Sequence, residues 1–163
     1  MQGQMKRFVG VILGALALTA VPAAVLAQTA EPIVGTWKLD VAKTIYKPGP
    51  APKSQTIVVE QAGKGVKVAV DAVNADGSAL KWGFTTPRDG KTESSVTGNP
   101  MFDTILSTRE SANAGTNLYK KGGKLVSTTK VAIAADGKTM TVTTAGTDAK
   151  GQAVNNVSHY VRQ

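Results

Sequence analysis

Beyond residue 33 the apolar residues of this chain return at every second position, and glycine-containing turns interrupt them at short intervals. In "VKVAVDA", Val66, Val68, Val70 and Ala72 share one face while Lys67 and Asp71 lie on the other. "LKWGF" groups Leu80, Trp82 and Phe84 in the same way, and "TIVVEQ", "KLVSTTKVAI" and "TMTVTTA" continue the pattern. A period of two with one packed and one solvated face is the signature of antiparallel strands. Between the runs stand "GKG" at 63–65, "NADG" at 74–77, "RDGK" at 88–91, "KKGGK" at 120–124, "AADGK" at 134–138 and "TDAKGQ" at 147–152. Asp-Gly and Gly-Gly reach positive φ at little cost, as two-residue hairpin turns require. Each strand is therefore expected to pair with its sequence neighbour, in an all-β meander of about eight to ten strands. No helix is expected beyond a short turn near Val41–Lys43.

Such a meander has two exposed edges unless it closes on itself. Closure at eight to ten strands encloses either a packed core or one small-ligand cavity. An up-and-down β-barrel is the expected fold, and a β-sandwich is the alternative.

The first residues read as a leader. Lys6 and Arg7 precede an uncharged apolar stretch, Phe8–Ala20, and Val25-Leu26-Ala27 places small residues where a signal peptidase cuts. The expected organisation is a signal peptide over 1–27 and one domain over 28–163. A spanning helix needs about 20 apolar residues, and Pro22 interrupts this run, so no stable membrane insertion is expected once the leader is cut. The expected location is periplasmic or secreted. The chain has no cysteine, which excludes disulfides, thiol chemistry, thiolate metal ligands and a lipoprotein-type anchor. Its core must suffice, and a chain of this size buries roughly two-thirds of its unfolded surface.

The formal net charge is +8, of which Lys6 and Arg7 contribute two. Nucleic-acid binders cluster their cations on one face among aromatics. Here Lys64, Lys91, Lys120, Lys121, Lys124, Lys138 and Lys150 fall mainly at the turns, where lysine discourages edge pairing. No nucleic-acid partner is expected.

The segment "VGTWKLD" opens the domain, and "HYVRQ" ends the chain. A Gly-x-Trp first strand, a long first loop and a meander resemble the lipocalin (calycin) group. "GTWKLDVAKT" followed by "PGPAPKS" is also similar to exported bacterial lipocalin-like proteins. In that group the tryptophan closes the barrel base and an arginine of the last strand packs across its ring. The resemblance implies these structural roles for Gly35, Trp37 and Arg162. A guanidinium over an indole face is a favourable cation–π contact.

Little else carries chemistry. His159 is the only histidine, and nothing selects a serine and a carboxylate to join it. Asp76, Asp89, Asp136 and Asp148 sit in turns, and no metal-ligand spacing or cofactor motif is present. Val68, Val70, Leu80, Leu106, Leu118 and Met140 are candidate wall residues, either core or cavity. Trp82, Phe84, Tyr119 and His159 are the candidate ligand contacts. Leu118 and Tyr119 alternate, so only one faces inward. The proline-rich loop Tyr46–Ser54 is either a rigid crossover or a lid over a barrel mouth. Met101-Phe102 is either an exposed loop tip contacting a ligand or partner, or a turn burying Phe102. The reading is a non-enzymatic exported barrel for a small apolar or amphipathic ligand. The alternative is an envelope protein-interaction or inhibitor-like module.

Overall fold

A computed structural model describes residues 31–148 and 150–163. The expected leader at 1–27 lies outside the described residues. Ten strands follow one another as β1 (Gly35–Leu39), β2 (Ser54–Ala62), β3 (Gly65–Val73), β4 (Ala79–Thr86), β5 (Asp89–Thr97), β6 (Thr104–Arg109), β7 (Ala114–Lys121), β8 (Lys124–Ile133), β9 (Thr139–Thr147) and β10 (Ala153–Arg162). Every strand pairs antiparallel with its chain neighbours, and β1 pairs with β10 through Trp37–Arg162 and Leu39–Tyr160. That last pairing closes an up-and-down barrel and removes the sandwich alternative. The only helical element among the described residues is a 3₁₀ turn at Val41–Lys43.

The turns work as their residues require. Between β7 and β8 two residues suffice, Gly122 at φ 54° and Gly123 at φ 78°, a conformation in which any Cβ is strained. Asp76, Asp136 and Asp148 each accept the amide two residues on, from Ser78, Lys138 and Lys150 at 2.8–2.9 Å. The acids that might have suggested acid–base chemistry are thus turn formers.

The long first loop begins along β10. Ile45 and Val157 exchange both backbone hydrogen bonds at 2.8 Å, and the Asn155 amide donates to the Lys47 carbonyl at 2.7 Å. Alternation across this short extension leaves Ile45 exposed and turns Tyr46 into the barrel. Pro50 and Pro52 then pass with Gln55 and Leu80 around a shallow surface pocket beside the β3–β4 turn.

One seam is thin. β4 meets β5 only through Gly83–Thr97 and Phe84–Val96, whereas β2 and β3 pair from Ser54–Val73 to Ala62–Gly65. The β5–β6 register also breaks between Asp89 and Glu93. There the Asp89 carboxylate accepts the Lys91 and Thr92 amides at 2.9 and 2.8 Å and the Thr92 hydroxyl at 2.7 Å. These bonds hold its pKa down at about 2. Amides of residues 90–95 are expected to exchange with solvent well before those of β3. Equal protection of both strands in a hydrogen-exchange series would contradict this.

One end of the barrel is corked by the segment 31–34. Trp37 is wholly buried, and its Nε1 donates to the Ile33 carbonyl at 2.8 Å. The Arg162 guanidinium carbon lies 4.2 Å from the centre of the Trp37 ring. Arg162 Nη1 donates to Val34 O at 2.7 Å, Nε to Gly137 O at 2.6 Å, and Nη2 to Pro32 O. A Cβ on Gly35, whose φ is 142°, would stand 2.4 Å from Arg162 Nη1. Glycine precedes the tryptophan because the guanidinium occupies the space a side chain would need. Glu31 completes the cork by accepting from Arg88 and, at 3.3 Å, from Arg109. Arg88 is buried and holds the only positive φ (57°) of any described non-glycine residue. Burial lowers its pKa and the Glu31 charge opposes that shift. Leu39, Val59, Val66, Ile133, Met140 and Tyr160 pack on Trp37 above this layer.

Candidate functional site

Between the packed base and the loops of the opposite end, the barrel encloses a cavity of about 200 Å³. One wall is apolar. Period two on β2, β3 and β4 turns Ile57, Val59, Val68, Val70, Trp82 and Phe84 inward. The facing wall on β7 to β10 contributes Asn117, Ser127, Thr129, Thr144 and Ser158, with Val131, Val142 and Met140 towards the base. Among the described residues no charged side chain lines the cavity.

An aromatic cluster stands beside it. Trp82 and Phe84 stack at 5.9 Å between ring centres, and Trp82 meets Tyr119 edge-on at 6.1 Å. Phe102 comes down from the β5–β6 loop onto Trp82 at 5.2 Å and Tyr119 at 4.4 Å. The loop tip is therefore a turn that packs its half-buried ring against the cluster. An Asn99 Oδ1 bond to the Met101 amide, 2.8 Å, shapes that turn. Such offset and edge-on pairs suit aromatic quadrupoles and leave faces for a flat guest.

The polar wall is ordered by strand register. Ser107, Asn117, Thr129 and Thr144 stand opposite one another on β6, β7, β8 and β9. Ser107 Oγ donates to Asn117 Oδ1 at 2.6 Å, and the Thr129 and Thr144 hydroxyls share a bond of 3.1 Å. Ser158 Oγ lies 3.4 Å from the Tyr46 hydroxyl, and Tyr160 donates to Gln55 Oε1 at 2.9 Å.

Burial pushes the Tyr119 and Tyr160 hydroxyls far above their ordinary pKa of 10.0; Asn117 opposes the shift at Tyr119. A raised folded-state pKa means the unfolded chain ionises first. Stability is thus unaffected below pH 10 and falls above it, by at most about 1.4 kcal/mol per pH unit for each ring. Urea midpoints measured between about pH 9 and 11 should drop, and Tyr119→Phe should flatten the fall. A flat profile would place the rings in contact with water.

Trp82, Phe84 and Tyr119, three of the four contacts expected from the sequence, line the cavity together. His159 does not. Ser158 and Tyr160 on either side of it face inward, so His159 is on the outer wall. Its amide donates to Thr44 Oγ1 at 3.2 Å, and its Nδ1 lies 3.4 Å from Thr141 Oγ1. Leu80, Leu106 and Leu118 also lie outside the set of lining residues: Leu80 lines the surface pocket beside the proline-rich loop, and the places of Leu106 and Leu118 are taken by the neighbouring Ile105 and Tyr119 in the aromatic cluster. Tyr46, Asn117, Thr129 and Thr144 line the cavity although sequence reasoning does not single them out as contacts; Phe102, a candidate contact at its loop tip, lines it as well. The repeated β-branched hydroxyls of "KLVSTTKVAI" and "TMTVTTA" carry the signal that could have found the threonines. Among the described residues no three His, Asp or Glu side chains gather in a way that could hold a metal ion.

No protein-family model matches this chain, and no curated protein matches it. Among solved structures it is similar to the siderocalin Ex-FABP, described as functioning through dual ligand specificities. The identity is 12%, the TM-score 0.34, and the alignment covers 81% of this chain and 71% of that one. The assignment of a closed up-and-down barrel rests on this chain's own strand order and closure.

Proposed function

We propose that this chain is an exported, non-enzymatic barrel that binds a small apolar or amphipathic molecule in its interior. The observation that carries the reading is the uncharged cavity, walled by aromatic and β-branched side chains and sealed at its base by the Arg162–Trp37 layer. Small-molecule sites have this character: concave, largely apolar, with a few placed polar groups. Export rests on the leader pattern at 1–27, and the location that follows is the periplasm or the medium. A binding role without catalysis is supported by His159, which lies on the outer wall and bonds to no carboxylate among the described residues. The alternative of a protein-interaction module rests on the proline-rich loop, the basic charge and the Met101-Phe102 tip. Phe102 packs onto Trp82 and Tyr119, which takes away one of these three supports.

The test is native mass spectrometry of the protein purified from the cells that make it, beside a Ser127→Phe variant that fills the cavity. One small adduct on the parent protein, lost from a folded S127F, is the expected result. An adduct retained in full by the folded variant would place binding elsewhere.

A further inference from the structure

The two walls of the cavity differ in chemistry, and that difference restricts the guest. One side is Val68, Val70, Trp82 and Phe84; the other is a register-aligned row of Asn117, Thr129 and Thr144 across three strands, with Ser107 on the next strand donating to Asn117. We infer that the ligand is a neutral molecule of one to two fused rings with a hydroxyl or carbonyl on one edge, and that the corresponding anion is rejected. This rests on the reading of the cavity as a ligand site.

Size sets the first limit. An engineered cavity of about 150 Å³ takes benzene, so one of about 200 Å³ admits a slightly larger flat molecule. Charge sets the second. No charged side chain among the described residues lines the cavity, and two cations of the closed end are already engaged: Arg162 with three carbonyls and the Trp37 ring, Arg88 with Glu31. A carboxylate brought inside would lose its hydration with no partner, which is the expensive case of burial. The polar row sets the third. A hydroxyl is one donor and two acceptors, so the Thr129–Thr144 pair spends one of its two protons on itself. The second proton and the remaining lone pairs face the guest. An edge carrying one hydroxyl can meet them while its ring lies against Trp82 and Phe84.

Three probes that share a ring system separate these limits: naphthalene, 2-naphthol and 2-naphthoate, titrated near neutral pH into the purified protein by calorimetry. 2-Naphthol is expected to bind about three- to tenfold tighter than naphthalene, the worth of one net hydrogen bond. 2-Naphthoate is expected to bind roughly a hundredfold weaker than 2-naphthol, or worse. Thr129→Val or Thr144→Val, each of which keeps the shape and removes one hydroxyl, should narrow the preference for 2-naphthol over naphthalene, and the double variant should erase it. Naphthoate binding as tightly as naphthol would overturn the neutrality. Equal binding of naphthalene and naphthol, untouched by either variant, would overturn the role of the polar row with the cavity still a binding site. Binding by none of the three would remove the ligand-site reading itself.

Discussion

Replacing Arg162 with alanine is expected to destabilise the fold by about 3–4 kcal/mol. The side chain donates to the carbonyls of Pro32, Val34 and Gly137 and covers the Trp37 ring. Removing it strands three acceptors at the closed end and uncovers an indole. Hydrogen bonds from a charged donor contribute about 1.5–3 kcal/mol each, though they do not add in full when shared by one group. Arg162→Lys keeps the charge but not the planar fork, and it should recover less than half of the loss. The measurement is a urea or thermal melt of the three proteins, and a fall in melting temperature on the order of 10 °C is expected for R162A. A shift within error would mean that the last strand ends without holding the base.

The second large effect is expected at Arg88. Arg88→Ala leaves Glu31 with Arg109 alone, a partner at 3.3 Å whose side chain is 42% exposed. Breaking a buried pair costs about 3–5 kcal/mol, and the remaining partner reduces this to about 2–4. The diagnostic is the double variant. With Glu31→Ala added, no carboxylate is left uncompensated, so part of the loss should return. A double variant no better than R88A would show that Arg88 acts through packing, against Gly115 for instance. There a Cβ would lie 2.8 Å from Arg88 Nη2.

What can be read from the sequence, and what cannot, follows from how the interior is built. Strands such as Val66–Ala72 and Leu80–Phe84 announce themselves because both the apolar face and the turn residues agree. β5 does not: along Asp89–Thr97 only Val96 is a large apolar residue, and Asp89 diverts two amides from the ladder. Alternation fixes the period but not the phase, so Leu106 can be taken for a wall residue although Ile105 is the one buried. On β10 the usual rule is inverted. Ser158 lines the cavity while Val161 is 40% exposed, because a cavity with a polar wall accepts hydroxyls inside. That inversion is why the sequence alone points His159 inward. Gly35, Trp37 and Arg162 are reached through a family resemblance rather than through pattern, and their contacts give the physical reason for the motif. The Glu31–Arg88 pair has no signal at all, since the two residues stand 57 positions apart and "RDGK" reads as a turn.

Whether the barrel interior is a binding site is tested most directly by a backbone and side-chain NMR titration of the purified protein with 2-naphthol. Shifts confined to inward-facing groups, led by the Trp82 indole, Phe102, Tyr119 and the Thr129 and Thr144 methyls, with His159 unmoved, are the expected result. Shifts scattered over the outer wall, or none up to the solubility limit, would contradict it.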